Sequence, residues 1–207
     1  MGHDLELVLR HLPRPERVAS GAKPAVTGPP LDQHTNDSPP PPIPDNLTHP
    51  PQDLALTIGT TGSTGRPKLA MLTRSALRAS ADATHDRLGG PGQWLLAMPA
   101  HHIAGIQVLI RSLVAGTNPV AMDLAEGFTA PEFIRATGEI ASGTTAYTAL
   151  VPTQLVRLLA SADGRVALAR YSAVMVGGAA SPSSLLAEAR AAGIRVVTTY
   201  GMSETAG

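Results

Sequence analysis

A loop rich in hydroxyl side chains and glycines separates two apolar segments. It reads Thr60-Thr61-Gly62-Ser63-Thr64-Gly65-Arg66-Pro67-Lys68. Hydroxyl groups, backbone N–H groups left accessible by glycine, and one lysine ammonium are the donors that a polyphosphate requires. The order of these residues predicts a loop that binds the phosphates of ATP. A flexible Gly/Ser/Thr turn without a ligand is the alternative.

Two better-known glycine motifs do not fit this loop. A P-loop places lysine directly after its last glycine, whereas Gly65 is followed by Arg66, Pro67 and only then Lys68. The dinucleotide-binding pattern begins Gly-x-Gly, but the glycines here are spaced three residues apart, at positions 59, 62 and 65. The loop therefore belongs to another class of phosphate-binding turn.

A second group of candidate residues lies at the end of the chain, in Thr199-Tyr200-Gly201-Met202-Ser203-Glu204-Thr205. Tyr200 offers a flat face to a base or an aromatic substrate, and Gly201 allows close approach to the backbone. Glu204 is a hard oxygen ligand suited to Mg²⁺, and Thr205 offers a hydroxyl to phosphate. Each residue alone is more often an ordinary loop residue, so only the whole run indicates a site.

Two further turns contain candidate residues. In Pro99-Ala100-His101-His102-Ile103-Ala104-Gly105, adjacent histidines are poorly placed to share one metal, so we reject a zinc site. We expect one histidine to face a ligand crevice and the other to pack or to be exposed. The Gly177-Gly178-Ala179 turn follows a short apolar segment and is the other candidate.

Composition narrows the class of protein. The 207 residues are 43% hydrophobic, and 16 basic and 16 acidic residues balance to a net charge of zero. That balance offers no electrostatic footprint for nucleic acid or an anionic membrane surface. The absence of cysteine excludes disulfides and a thiol nucleophile. With no apolar stretch near the length of a membrane span and no signal-peptide pattern, we expect a cytoplasmic protein.

The elements that position these motifs begin after a proline-rich stretch. We divide the chain into an N-terminal segment (residues 1–27), in which Asp4 can cap a short helix, a proline-rich arm or linker (28–53) and a main domain (54–207). Beyond Asp53, short apolar runs alternate with helical patterns, which predicts an α/β fold: a mostly parallel sheet flanked by helices. The predicted strands are residues 54–58, 94–98, 119–122, 145–148, 172–176 and 195–199.

The predicted helices are residues 74–87 after a Thr73 cap, 103–115, 131–140, 152–161 and 181–192. Ligands of parallel sheets bind beyond the carboxyl ends of the strands. We expect three glycine turns there, residues 59–65, Gly177-Gly178 and Gly201.

Taken together and in this order, the four motifs resemble the acyl-adenylate-forming superfamily of acyl-CoA synthetases, luciferases and peptide-synthetase adenylation domains. Within it, residues 83–92, 94–96, 102–105, 108–113 and 199–205 resemble the o-succinylbenzoyl-CoA synthetases of menaquinone biosynthesis. The resemblance implies part of the large N-terminal domain of an adenylate-forming enzyme. It also implies a two-step reaction, in which a small-molecule carboxylic acid and ATP form acyl-AMP and coenzyme A then displaces AMP.

The resemblance also implies residue roles. It assigns the β- and γ-phosphates of ATP to Thr60, Thr61, Ser63, Thr64 and Lys68, and the adenine to Gly178, Ala179 and Tyr200. It places the α-phosphate at Thr205, Mg²⁺ at Glu204 and the reacting carboxylate beside His102. The implied catalytic set is His102, Lys68 and Glu204, and the implied nucleotide-binding set further includes Gly62, Gly65, Gly177, Gly201 and Met202.

The sequence departs from the superfamily pattern at Leu69, where glycine is usual, and at Gly59. It ends at Gly207, so we expect it to lack the ribose-binding aspartate, the hinge and the C-terminal domain, and to be unable to complete the reaction alone. Two alternatives stay open: a ligase for another aromatic or fatty acid, and a nucleotide-binding fragment without turnover. The oligomeric state is also open, with a homodimer among the alternatives.

Overall fold

The computed structural model describes residues 52–60 and 68–207, with the backbone alone at Thr60 and Lys68. The predicted N-terminal helix, most of the proline-rich arm and residues 61–67 of the phosphate loop lie outside the described residues.

The described strands are β1 (Leu54–Thr60), β2 (Lys68–Thr73), β3 (Gln93–Leu96), β4 (Val120–Ala121), β5 (Ala146–Leu150), β6 (Ala173–Val176) and β7 (Val196–Thr198). The helices are α1 (Arg74–Leu88), α2 (Ile103–Ala115), α3 (Ala130–Gly138), α4 (Pro152–Leu159), α5 (Ala162–Ala169) and α6 (Ser183–Ala191), and a single 3₁₀ turn covers Ser203–Thr205.

Five of the strands form a parallel sheet in the order β4-β3-β5-β6-β7. Every residue of β5 and of β6 is buried, as expected for strands that are covered on both faces. This sheet confirms the α/β fold predicted from the sequence.

Alternate residues of each strand point to opposite faces, so the sheet separates two apolar clusters. On β3, Leu95 belongs to the cluster that includes Phe133 of α3 and Leu155 of α4. Its neighbour Trp94 belongs to the other cluster, which includes Val108 of α2 and therefore lies on the other side of the sheet. Helices thus cover both faces.

Strands β1 and β2 form a separate antiparallel hairpin, with Thr60 paired to Lys68 and Ile58 to Ala70. The expectation that the 59–65 turn follows a strand of the parallel sheet is wrong, because the turn joins two antiparallel strands. The hairpin still packs onto the rest of the fold: Ile58 and Leu72 share a small core with Leu77 of α1 and Ala206.

Some of the helices and strands agree with the sequence-based prediction and others do not. Helix α2 has the predicted bounds and ends at Gly116, whose φ is +66°. The Thr73 hydroxyl caps α1 by accepting a hydrogen bond from the Ala76 N–H at 3.1 Å. Strand β2 was not predicted, although Ala70 and Leu72 are buried on either side of exposed Met71. Helix α5 was also missed.

Candidate functional site

A cavity of about 1050 Å³ opens at the carboxyl ends of β3, β5, β6 and β7, between α1 and α2. Residues that directly follow these strands form much of its wall, as the geometry of parallel sheets predicts. The predicted site residues that line it are His102, Gly177, Gly178, Tyr200, Gly201 and Thr205. Three segments far apart in sequence therefore meet at one cavity.

Other predicted residues lie elsewhere. Ala179 lines a neighbouring groove beside Val156 and Leu185 rather than the main cavity. Met202 and Glu204 are exposed and are not part of the cavity wall. For the phosphate loop, the hairpin brings the backbones of Thr60 and Lys68 together as cross-strand partners.

Tyr200 projects from the sheet edge, with 94% of the residue exposed. Its open face is available to an aromatic ring, and few protein contacts compete for it. The turn that follows is compact. The Thr205 hydroxyl donates to the Met202 carbonyl at 3.0 Å and accepts from the Met202 N–H at 3.3 Å. Thr205 is exposed, so its hydroxyl is accessible to a ligand.

The glycines of this wall are explained by close contacts within the protein. A Cβ on Gly201 would lie 2.5 Å from the Gly207 carbonyl carbon, and a Cβ on Gly177 would lie 2.2 Å from the Thr199 hydroxyl oxygen. Gly178 has φ of +78°, a left-handed conformation that glycine adopts without strain. These positions were predicted for approach of a ligand, but packing alone already requires glycine at 177 and 201.

His102 lies at the strand-to-helix turn and forms the N-cap of α2. Its ring lies 4.3 Å, centroid to centroid, from the ring of His101. Of the two exposed histidines, His102 lines the cavity and His101 does not. Gly105 makes this turn tight, since a Cβ there would lie 2.3 Å from the Pro99 carbonyl oxygen.

Arg111 is a cavity residue to which sequence reasoning assigned no role. It is only 5% exposed, and its guanidinium carbon lies 5.2 Å from the centre of the Trp94 ring. Its Nη1 lies 3.9 Å from the Met175 sulfur, and its Nε has no hydrogen-bond partner among the described residues. The ion pairs formed by those residues do not include Arg111.

Burial lowers the pKa of Arg111 to about 10, so the side chain stays cationic at neutral pH. A buried charge without a counter-ion is costly, and an anion in the cavity would neutralise it. Arg111 is the lone charged residue in the 13 residues of α2. It lies four residues after Gln107 and eight after Ile103, so all three fall on the cavity-facing stripe of the helix. That spacing is the signal by which the sequence could have identified it.

Mg²⁺ fits the chemistry of the Ser203–Thr205 turn. This ion commonly takes one or two carboxylates, substrate phosphates and several waters. Exposed Glu204 offers such a carboxylate next to the Thr205 hydroxyl. The described part of the chain contains no cluster of three His, Asp or Glu side chains that could form an all-protein metal cage. None of its helices has the length and apolar character that a membrane crossing needs.

Comparison with known proteins agrees with the family resemblance and with the fold. A family model described as AMP-binding enzyme matches residues 4–207. A probable 2-succinylbenzoate–CoA ligase of Mycobacterium tuberculosis is 46% identical over 196 residues, which are 95% of this chain and 50% of the relative. The 2-succinylbenzoate–CoA ligase of Escherichia coli is 36% identical over 158 residues, 75% of this chain and 32% of the relative.

Solved structures of o-succinylbenzoate CoA synthetase (MenE) from Bacillus subtilis share the fold. The complex with the acyl-adenylate intermediate OSB-AMP has a TM-score of 0.60 at 27% identity, over 73% of this chain and 30% of that one. The complex with ATP and magnesium ion gives the same TM-score, identity and coverage.

The chain spans about half the length of the Mycobacterium tuberculosis relative and about a third of the Escherichia coli one. The family match nevertheless covers nearly all of the chain, from residue 4 to residue 207. On this basis the chain belongs to the AMP-binding enzyme family.

Proposed function

We propose that this chain forms the nucleotide- and acid-binding part of an ATP-dependent acid–CoA ligase that adenylates o-succinylbenzoate and passes the acyl group to coenzyme A in menaquinone biosynthesis. The observation that carries the proposal is the shared cavity: the buried cation Arg111 lies in the same cavity as Tyr200 and Thr205.

The substrate explains the buried charge. o-Succinylbenzoate carries two carboxylates, and only one can attack the α-phosphate of ATP. The second must be desolvated in the cavity, and a buried guanidinium offers it a charge-assisted hydrogen bond. The guanidinium of Arg111 contacts the Trp94 ring and the Met175 sulfur, neither of which is an anion. Among the described residues, no carboxylate therefore competes with the substrate for Arg111. An acid with a single carboxylate would leave this charge unpaired.

For the residues that bind ATP, we propose the roles that the family resemblance implies. Tyr200 and Gly178 form the adenine contact from the cavity wall, with Ala179 next to Gly178 in the neighbouring groove, and Thr205 binds the α-phosphate. Thr60, Thr61, Ser63, Thr64 and Lys68 bind the β- and γ-phosphates. His102 lies beside the reacting carboxylate. Glu204 would hold Mg²⁺, which would neutralise phosphate charge. Preorganised donors of this kind favour a displacement between two anions.

Since ATP and coenzyme A are intracellular substrates, the proposal places the protein in the cytoplasm. The two alternatives make different demands on the cavity. A ligase for a fatty acid needs no cation at its floor, and a nucleotide-binding fragment needs no acid pocket. The homodimer considered from the sequence stays a prediction.

Calorimetric titration of the chain tests the proposal. The ligands are AMP, o-succinylbenzoate, and two analogues that each lack one carboxylate, 4-oxo-4-phenylbutanoate and 2-butanoylbenzoate. We expect AMP to bind, and o-succinylbenzoate to bind at least tenfold more tightly than both analogues. Equal binding of all three acids, or tighter binding of a fatty acid, would refute the substrate. Binding of AMP without any acid would favour the nucleotide-binding fragment.

A further inference from the structure

Gln107 occupies the middle of the cavity-facing stripe of α2, between Ile103 and Arg111. Its side chain is fully buried (0% exposed) and lines the cavity. A buried amide must find hydrogen-bond partners to offset its desolvation. The partners of Gln107 therefore indicate what it does.

The Gln107 Nε2 donates to the Ala206 carbonyl oxygen at 2.5 Å, across 99 positions of sequence. Its Oε1 has no partner among the described residues. Half of the amide thus binds the segment after β7, and the other half is left unpaired in a side chain that lines the cavity.

Ala206 needs such support. Its φ of +63° makes it the one described non-glycine residue in the left-handed region. A strained conformation of this kind persists only where surrounding contacts hold it. Two are present: the buried Ala206 methyl group packs in the small core with Ile58, Leu72 and Leu77, and its carbonyl accepts the Gln107 amide.

This support acts next to Thr205, whose hydroxyl is bonded to the Met202 backbone. To bind a phosphate, the hydroxyl must leave the Met202 carbonyl while the backbone of the turn keeps its position. Within the described part of the chain, the side chains that reach residues 202–207 from other elements by hydrogen bonds are Gln107 and, at a longer 3.4 Å, Ser80. Gln107 makes the shorter of these bonds.

We propose that Gln107 is a positioning residue that holds the Thr205 turn against α2. It thereby fixes the distance between the Thr205 hydroxyl, which binds the nucleotide, and Arg111. The inference rests on the proposed function for the role of Thr205, and on geometry alone for the link between α2 and the turn. Gln107 is expected to act on nucleotide binding through the turn.

The test compares Gln107→Leu with a matched control, Ser112→Ala. Ser112 is buried on the same helix, but within the described chain its hydroxyl donates a hydrogen bond only to the Val108 carbonyl, one turn earlier. Loss of one buried hydrogen bond should weaken AMP binding by roughly fivefold to tenfold in Gln107→Leu. AMP binding by Ser112→Ala should stay within about twofold, since its hydrogen bond is internal to the helix.

Amide hydrogen exchange without ligand gives an independent readout. The Thr205 and Gly207 amides bond to the Met202 carbonyl and the Ala206 amide to Ser203, so all three should be protected. We expect these three amides to exchange roughly tenfold faster in Gln107→Leu, with α2 unchanged. Unchanged exchange at 205–207 together with unchanged AMP affinity would overturn the inference. If the unsubstituted chain fails to bind AMP, the proposed function fails, while hydrogen exchange still decides the role of Gln107.

Gln107→Glu guards against loss of folding in the leucine variant. Its carboxylate has no N–H to donate to the Ala206 carbonyl, and it would lie one helical turn from the Arg111 cation, which favours the ionised form. AMP binding by Gln107→Glu should therefore weaken as it does in Gln107→Leu. Unchanged AMP affinity in a folded Gln107→Glu variant would count against a hydrogen bond to Ala206.

Discussion

The guanidinium of Arg111 lies over the ring of Trp94, with its central carbon 5.2 Å from the ring centre and both residues buried. The two residues come from opposite sides of one interface, Arg111 from α2 and Trp94 from β3. An aromatic face stabilises a desolvated cation in part, but it supplies no countercharge. The arrangement therefore leaves a positive site at the floor of the cavity.

Replacing Arg111 by methionine should weaken binding of o-succinylbenzoate by roughly tenfold to a hundredfold, because a charge-assisted hydrogen bond contributes about 1.5–3 kcal/mol. AMP affinity should be unchanged. Calorimetry with the two monocarboxylate analogues identifies which carboxylate pairs with Arg111. The analogue that lacks that carboxylate should bind Arg111→Met as tightly as it binds the unsubstituted chain. Arg111→Lys keeps the charge but loses the planar fork, so we expect an intermediate loss. An equal penalty for all three acids would contradict the pairing.

Stability should depend on pH through His85, which is buried and whose Nε2 has no partner among the described residues. Burial, followed by the charge of Arg111, lowers the pKa of His85; Arg78 acts in the same direction, and Asp82 and Asp86 oppose it. The folded state thus binds the proton less readily than the unfolded state. As pH falls below about 6.5, the ordinary pKa of histidine, unfolding takes up a proton and stability decreases.

We expect this decrease to be at most about 1.4 kcal/mol per pH unit, the limit for one proton. Urea unfolding of the chain and of His85→Gln between pH 7.5 and 5 (about one unit above to 1.5 below the ordinary pKa) measures it. The variant should show the shallower pH dependence. Parallel curves would show that His85 does not carry the effect.

Gly105 and Gly138 form a matched pair for testing the strand-to-helix turn at His102. A Cβ at position 105 would collide with the Pro99 carbonyl oxygen at 2.3 Å, whereas a Cβ at 138 would meet nothing within 4 Å. Gly105→Ala should therefore destabilise the chain and, by displacing His102, weaken acid binding. Gly138→Ala should be neutral or stabilise by up to about 1 kcal/mol, because alanine favours helix. Thermal unfolding and calorimetry measure both, and a neutral Gly105→Ala would be the contrary result.

Glu204→Gln tests the proposed metal ligand. The change removes one negative charge from an exposed side chain and keeps its shape, so folding should be unaffected. Binding of ATP in the presence of Mg²⁺ should weaken several-fold, while binding of AMP without Mg²⁺ should stay the same. Calorimetry with and without EDTA separates the two cases. Equal loss for both ligands would point to a general effect on the turn rather than to the metal.

Much of the fold could be predicted because its signals are local. The length of the apolar run and the glycine at 116 defined α2, and the Thr73 hydroxyl defined the start of α1. Strand β2 and helix α5 were harder. Strand β2 follows the glycine loop directly, and among the described strands its one pairing partner is β1 of the hairpin. Helix α5 contains Gly164 and begins two residues after Ala160, the C-cap of α4, so its sequence resembles a continuation of α4 or a loop.

The sequence by itself determined the kinds of chemistry available to this protein, since the types and order of residues in the four motifs are visible without any structure. Only the tertiary structure decided which residues meet. It joined His102, Gly178 and Thr205 at one cavity, gave the phosphate loop an antiparallel frame, and turned Gln107 and Arg111 toward the same site. Burial and pairing depend on contacts between distant segments, such as the hydrogen bond from Ser80 to Gly207 across 127 positions. A linear pattern does not reveal such contacts. They place Arg111, a single arginine in an apolar helix, in a buried position with no anionic partner among residues 52–60 and 68–207.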